Sequence, residues 1–213
     1  MFPHAPLPPA PGVRLAMDGS GIDGSVYTDV VELARRSPGW LDAVVSLWST
    51  YGLAVFAVLM LVVWWRARRV SAGLALTALA VPLVVVGAYA VDMVLKSLVR
   101  EDRPCQSLPV STLESCPAAG DWSFPSNHAT IAAAAAVALL LVSRRLGVVA
   151  LFAAAAMAAS RVWVGAHYPH DVAAGVVVGA LVAWAAMHVV RRRPEALADR
   201  LAATRLRPLL SAS

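Results

Sequence analysis

Three short segments carry most of the residues in this chain that could do chemistry on an anion. Lys96, the one lysine beside seventeen arginines, stands seven residues before Arg103-Pro104. Pro125-Ser126-Asn127-His128 opens a later apolar run. Ser160-Arg161 is followed after five residues by His167 and after three more by Asp171. Each segment lies where an apolar stretch ends or begins. Together they offer two histidines, an aspartate, a lysine and two arginines, a set suited to phosphoryl transfer.

Each residue type has a task in that chemistry. Arginine grips phosphate oxygens with a two-pronged fork, and lysine serves as a compact point charge. Pro104 disfavours helix at Arg103, so the chain should turn there and bring Lys96 and Arg103 towards one point. A helix starting at Ser126-Asn127 presents free backbone amides and the positive end of its dipole to an anion. Ser126 can either cap that helix or bind the anion itself, and His128 would sit beside the bound group as a proton donor. Pro169 suits a first helical position, so Asp171 falls in the first turn and can reach back to His167. A carboxylate on one ring nitrogen fixes the tautomer and leaves the other free to attack. Asp92, one helical turn before Lys96, is expected to pair with it and aim it at the phosphate, and Ser160 supports Arg161. Cys105 and Cys116, the only cysteines, share one loop and are expected to be bridged if that loop is external.

The elements that must hold these groups are apolar helices. Apolar residues make up 59% of the 213 positions, and the mean hydropathy is positive, beyond what soluble domains use. Runs over about 43–65, 70–95, 127–143, 146–164 and 170–190 predict five transmembrane helices in an all-α polytopic bundle. The third run is the shortest and carries the alanines 132–136, which favour close helix packing over lipid contact. A further apolar stripe at Val26, Val30, Val31, Leu33 and Ala34 predicts an N-terminal surface helix. Arg66, Arg68 and Arg69, then Arg144 and Arg145, then Arg191, Arg192 and Arg193 fall on one side of such a bundle. The positive-inside rule makes that side cytoplasmic, so the three motifs face outward. The net charge of +5 is then a topology signal, and nucleic-acid binding is not expected. The proline-rich start lacks the form of a signal peptide. The expected divisions are a disordered external tail at 1–24, a membrane domain at 25–193 and a cytoplasmic tail at 194–213 with leucines 197, 201 and 206 on one stripe.

The combination resembles the type 2 phosphatidic acid phosphatase superfamily, whose three-part signature is K-x6-RP, PSGH and SR-x5-H-x3-D. Lys96, Arg103 and Pro104 meet the first part; Pro125, Ser126 and His128 the second; Ser160, Arg161, His167 and Asp171 the third. Asn127 replaces the usual glycine, and asparagine is among the residues that best tolerate a left-handed backbone. Within the superfamily the chain is most similar to the small bacterial undecaprenyl-diphosphatases of the bacitracin-resistance type. The cues are its length, Leu41-Asp42 at the start of span one and the run from Ser160 to Asp171. The resemblance implies attack by His167, orientation of His167 by Asp171, and protonation of the leaving group by His128. It also implies phosphate binding by Lys96, Arg103, Ser126, Asn127 and Arg161, with no metal and no other cofactor. The implied partner is a lipid substrate in a bacterial plasma membrane. Phosphatidate and phosphatidylglycerophosphate phosphatases share those residues. Two other readings stand beside this one. In the first, His128, His167, His170 and Asp171 ligate a metal in a metal-dependent hydrolase. In the second, the same cationic pocket serves a non-catalytic lipid binder or transporter.

Overall fold

The structure, a computed structural model, describes residues 16–192, 194–195, 203–204 and 207–210. Residues 1–15 of the expected tail and the 197, 201, 206 stripe lie outside the described residues. The helices are α1 (Ser20–Arg36), α2 (Gly39–Tyr51), α3 (Leu53–Ala67), α4 (Ala72–Val99), α5 (Pro104–Ser107), α6 (Asn127–Val142), α7 (Arg144–Trp163) and α8 (Pro169–Val190), with a last turn at Arg207–Leu210. Helix α1 thus begins inside the stretch assigned from sequence to the tail.

Three helices, α4, α7 and α8, are long and apolar enough to cross a membrane. The run expected as span one is instead the pair α2 and α3, bent by 53° across Gly52, and it makes a fourth crossing if counted as one. Helix α6 has 16 residues, about 24 Å at 1.5 Å per residue, short of a hydrocarbon core of about 30 Å. Of the five spans read from hydropathy, three are single long helices, the first is the bent pair and the third is the shorter central helix α6.

Helix α6 is central because its sequence lets other helices close on it. Ala132 to Ala136 are all buried, and it packs against α8, α7, α4 and α3. On α8, Gly179 lets the two backbones touch: a Cβ there would stand 2.2 Å from the Thr130 carbonyl oxygen. From α4, Asp92 accepts a hydrogen bond of 2.6 Å from Thr130 Oγ1 on α6. These contacts set the starts of α6 and α8 side by side, with Ser126 N donating to the Asp171 carbonyl at 3.1 Å. At the same end, Arg100 closes α4 in the left-handed conformation (φ 53°). The chain therefore turns at once, and Glu101 and Arg103 return over the end of the bundle. Met17 brackets that turn, donating to the Arg100 carbonyl and accepting from Asp102 N. The loop from 104 to 126 then covers the end, tied by the Cys105–Cys116 disulfide with Cα atoms 5.8 Å apart.

Candidate active site

The three motifs meet at one end of the bundle, on the C-terminal ends of α4 and α7 and the N-terminal ends of α6 and α8. His167 lies in the turn between α7 and α8. Gly165 enters that turn with a positive φ of 81°, and its Cβ would collide with Thr112 at 2.4 Å. Tyr27 of α1 secures the same turn by donating to the Gly165 carbonyl at 3.0 Å.

His167 is 2% exposed. Its Nδ1 is 3.4 Å from Asp171 Oδ2 and 3.3 Å from Ser123 Oγ. Asp171 Oδ2 also accepts from Ser123 Oγ and, at 2.9 Å, from Tyr168 N in a capping box that opens α8. These partners assign the proton to Nδ1 and leave Nε2 unprotonated, an acceptor for Arg103. Nε2 faces Arg103 Nη1 at 3.4 Å. Burial pushes the imidazole down to about 3 against the pull of Asp171, so the ring is neutral at physiological pH and able to attack.

Of the three cations, Arg103 is the one in contact with that nitrogen. Arg103 is 7% exposed, and its guanidinium donates to the Ala166 carbonyl at 3.0 Å, the Asp121 carbonyl at 3.0 Å and Asp121 Oδ1 at 2.9 Å. Arg161, buried on α7, bonds Ser49 of α2 and pairs with Glu114 at 3.0 Å, while its Nε–H is buried without a partner. Lys96 stands behind the loop and donates to the Trp122 and Ser123 carbonyls at 2.8 and 3.0 Å. It thereby holds Ser123 against His167. Ser126 Oγ and Asn127 Oδ1 are also buried and unpartnered. Buried polar atoms in a folded chain are normally hydrogen-bonded, and of these the Arg161 Nε–H and the Ser126 hydroxyl are donors open to an anion. His128, one residue into α6 and half-buried, is within electrostatic reach of Arg161, Glu114 and Arg103.

Several sequence expectations change at this point. Asp92 does not pair with Lys96: it bonds Thr130 across helices, while the Lys96 ammonium reaches the loop carbonyls. Ser160 donates within α7 to the Met157 carbonyl at 2.7 Å and does not touch the site. Ser126 makes no cap bond. Asn127 is an ordinary first residue of α6, so no left-handed backbone is needed where the family has glycine. Ser49, Glu114, Asp121 and Ser123 were not anticipated. Among the described residues, the groups able to converge on a metal are Glu101, His170 and Asp171, not His128 and His167. His170 already faces carboxylates through both ring nitrogens.

A buried neutral histidine ringed by arginines, at one end of a membrane helix bundle, defines a class of phosphoryl-transfer enzymes. The sequence profile of the PAP2 superfamily matches residues 72–195, and the chain belongs to that superfamily, as a membrane phosphatase. It is 30% identical over 142 residues to undecaprenyl-diphosphatase BcrC of Bacillus subtilis, covering 67% of this chain and 71% of that one. It is 40% identical over 96 residues to the decaprenylphosphoryl-5-phosphoribose phosphatase of Mycobacterium tuberculosis, covering 45% and 51%. The fold is similar to that of a transmembrane PAP2-type phosphatidylglycerolphosphate phosphatase from Bacillus subtilis. That match has a TM-score of 0.58 and 21% identity, and it covers 80% of this chain and 87% of that one.

Proposed function

We propose that the chain removes the terminal phosphate of a polyprenyl diphosphate at the outer face of the plasma membrane. His167 Nε2 attacks the terminal phosphorus, and the bond to the bridging oxygen breaks. The polyprenyl monophosphate leaves, and a phosphohistidine remains. Water then attacks that phosphorus and releases inorganic phosphate and free His167. Arg103, Arg161, Ser126 and the amides at the start of α6 hold the phosphoryl oxygens as charge spreads over them. His128 donates a proton to the leaving oxygen and takes one from the water.

The observation that carries this reading is the neutral His167 imidazole, held through Nδ1 by Asp171 and Ser123 with Nε2 directed at a guanidinium. A site that only bound a phosphate would have no use for a nucleophile so oriented. The lipid class rests on two supports. By name, the curated relatives act on undecaprenyl diphosphate and on a decaprenylphosphoryl sugar phosphate, and these share a polyprenyl phosphate carrier. An apolar groove of about 260 Å³ between α2 and α7 is lined by Val44, Trp48, Ala156, Ser160 and Trp163, the last two of which flank Arg161 in sequence.

Phosphate release by the purified chain from undecaprenyl diphosphate, phosphatidate and phosphatidylglycerophosphate, measured side by side, tests the substrate. The diphosphate is expected to give the highest kcat/KM, and faster turnover of either glycerolipid overturns the assignment. The cations here do the work of a divalent ion, so activity is expected to survive chelator. His167→Ala is expected to abolish turnover, and radiolabelled phosphate trapped on that variant would place the nucleophile elsewhere.

A further inference from the structure

His170 lies between His167 and Asp171 in sequence, but its side chain turns away from the phosphate cradle. Its backbone N–H donates to Asp23 Oδ2 of α1 at 2.7 Å, and its Nδ1 is 2.7 Å from Asp23 Oδ1. Its Nε2 is 2.8 Å from Glu101 Oε1 and 3.5 Å from Asp171 Oδ1. The ring stacks between Phe124 and Tyr168, with centroids 6.1 and 5.3 Å away.

Both ring nitrogens thus face carboxylate oxygens, an arrangement that the imidazolium satisfies as a double donor. The charge has a clear use. Glu101 and Asp171 are both fully buried, and two neighbouring buried carboxylates cannot both stay ionised without a shared cation. Burial already raises the Glu101 carboxyl. Asp171 must remain a carboxylate, because once protonated it no longer fixes the His167 tautomer. Its Oδ2 is committed to Ser123, Tyr168 and His167, while its buried Oδ1 has no hydrogen bond. The His170 ring is the cation beside that oxygen.

We propose that His170, braced by Asp23 of α1 and by Glu101, is a positioning residue that keeps Asp171 charged and aimed at His167 Nδ1, so that docking of the N-terminal helix sets the competence of the nucleophile. The inference rests on His167 as nucleophile and Asp171 as its orienting carboxylate.

The test measures kcat and KM on undecaprenyl diphosphate for the full chain in detergent. His170→Gln is expected to lower kcat roughly tenfold, the effect of removing one opposite charge beside a carboxylate, with KM held within about twofold. Placed in an Asp171→Asn background, the same change should be nearly silent, since what it supports is already lost. Asp23→Asn should move kcat the same way by less, and it carries the comparison if the His170 variant does not fold. Equal fractional losses in both backgrounds would mean a purely structural role and overturn the proposal. If His167→Ala is inactive while His170→Gln keeps its kcat, this inference fails alone. If His167→Ala stays active, the underlying nucleophile assignment fails instead.

Discussion

His128 is the residue from which the substrate class can be read. A phosphate monoester such as phosphatidate expels an alkoxide, which is so basic that protonation in the transition state matters greatly. A diphosphate expels a phosphate monoester, whose second pKa is about 6, and it can leave largely unprotonated at neutral pH. His128→Ala should therefore lose far more activity on phosphatidate than on undecaprenyl diphosphate. Kinetics of the one variant on both lipids decides it, and equal proportional losses would mean that His128 is not chiefly a leaving-group acid. The residues of this site were unevenly legible in the sequence. His167 and Asp171 could be paired because Pro169 starts a helix whose first turn carries Asp171, and Arg161 because it precedes the same turn. Ser123, Glu114 and Asp121 left no such signal, since an irregular loop brings them in and loops have no periodicity. The Asp92–Lys96 pairing fails for a related reason. One-turn spacing places both on the same helix, but the interhelical donor Thr130 and the loop carbonyls offered each a better partner.

At the level of elements, the loop between α4 and α6 matters as much as the helices. It delivers Asp121 to Arg103, Glu114 to Arg161 and Ser123 to His167, and Glu114 lies within the ring closed by Cys105 and Cys116. Closing a loop with a sequence separation of 11 restricts the unfolded chain by about 3 kcal/mol in the chain-entropy model. Without reductant, neither thiol should react with maleimide, and after reduction both should. Full labelling beforehand would refute the bridge. Reduction should also raise KM more than it lowers kcat, because it frees the segment that carries Glu114 while leaving the His167 turn in place. Hydropathy located the helices well but not their breaks. The 53° bend falls at Gly52, just after Ser49-Thr50-Tyr51, within the stretch read as one span, and the shortness of α6 is compensated by burial among its neighbours, a tertiary effect.

For the whole molecule, helix direction makes the strongest argument about sidedness. The site gathers C-terminal ends of α4 and α7 with N-terminal ends of α6 and α8. Alternating helices can share one end in this way only if each reverses the last, whatever the bent α2–α3 pair does. Arg66 and Arg69, the Arg144–Arg145 pair and the Arg191–Arg192 pair fall at the opposite ends of the same helices. Arg68 there lies over the rings of Trp64 and Trp65 at 5.2 and 4.9 Å, a belt suited to a membrane interface. Since short loops rich in arginine stay in the cytoplasm, the site should open outward. In intact cells, an impermeant maleimide should modify Ser111→Cys, an exposed position in the site loop. It should spare Val70→Cys, 74% exposed at the arginine end, until the membrane is permeabilised. Labelling of Val70→Cys alone in intact cells would invert the topology and put the phosphatase site in the cytoplasm.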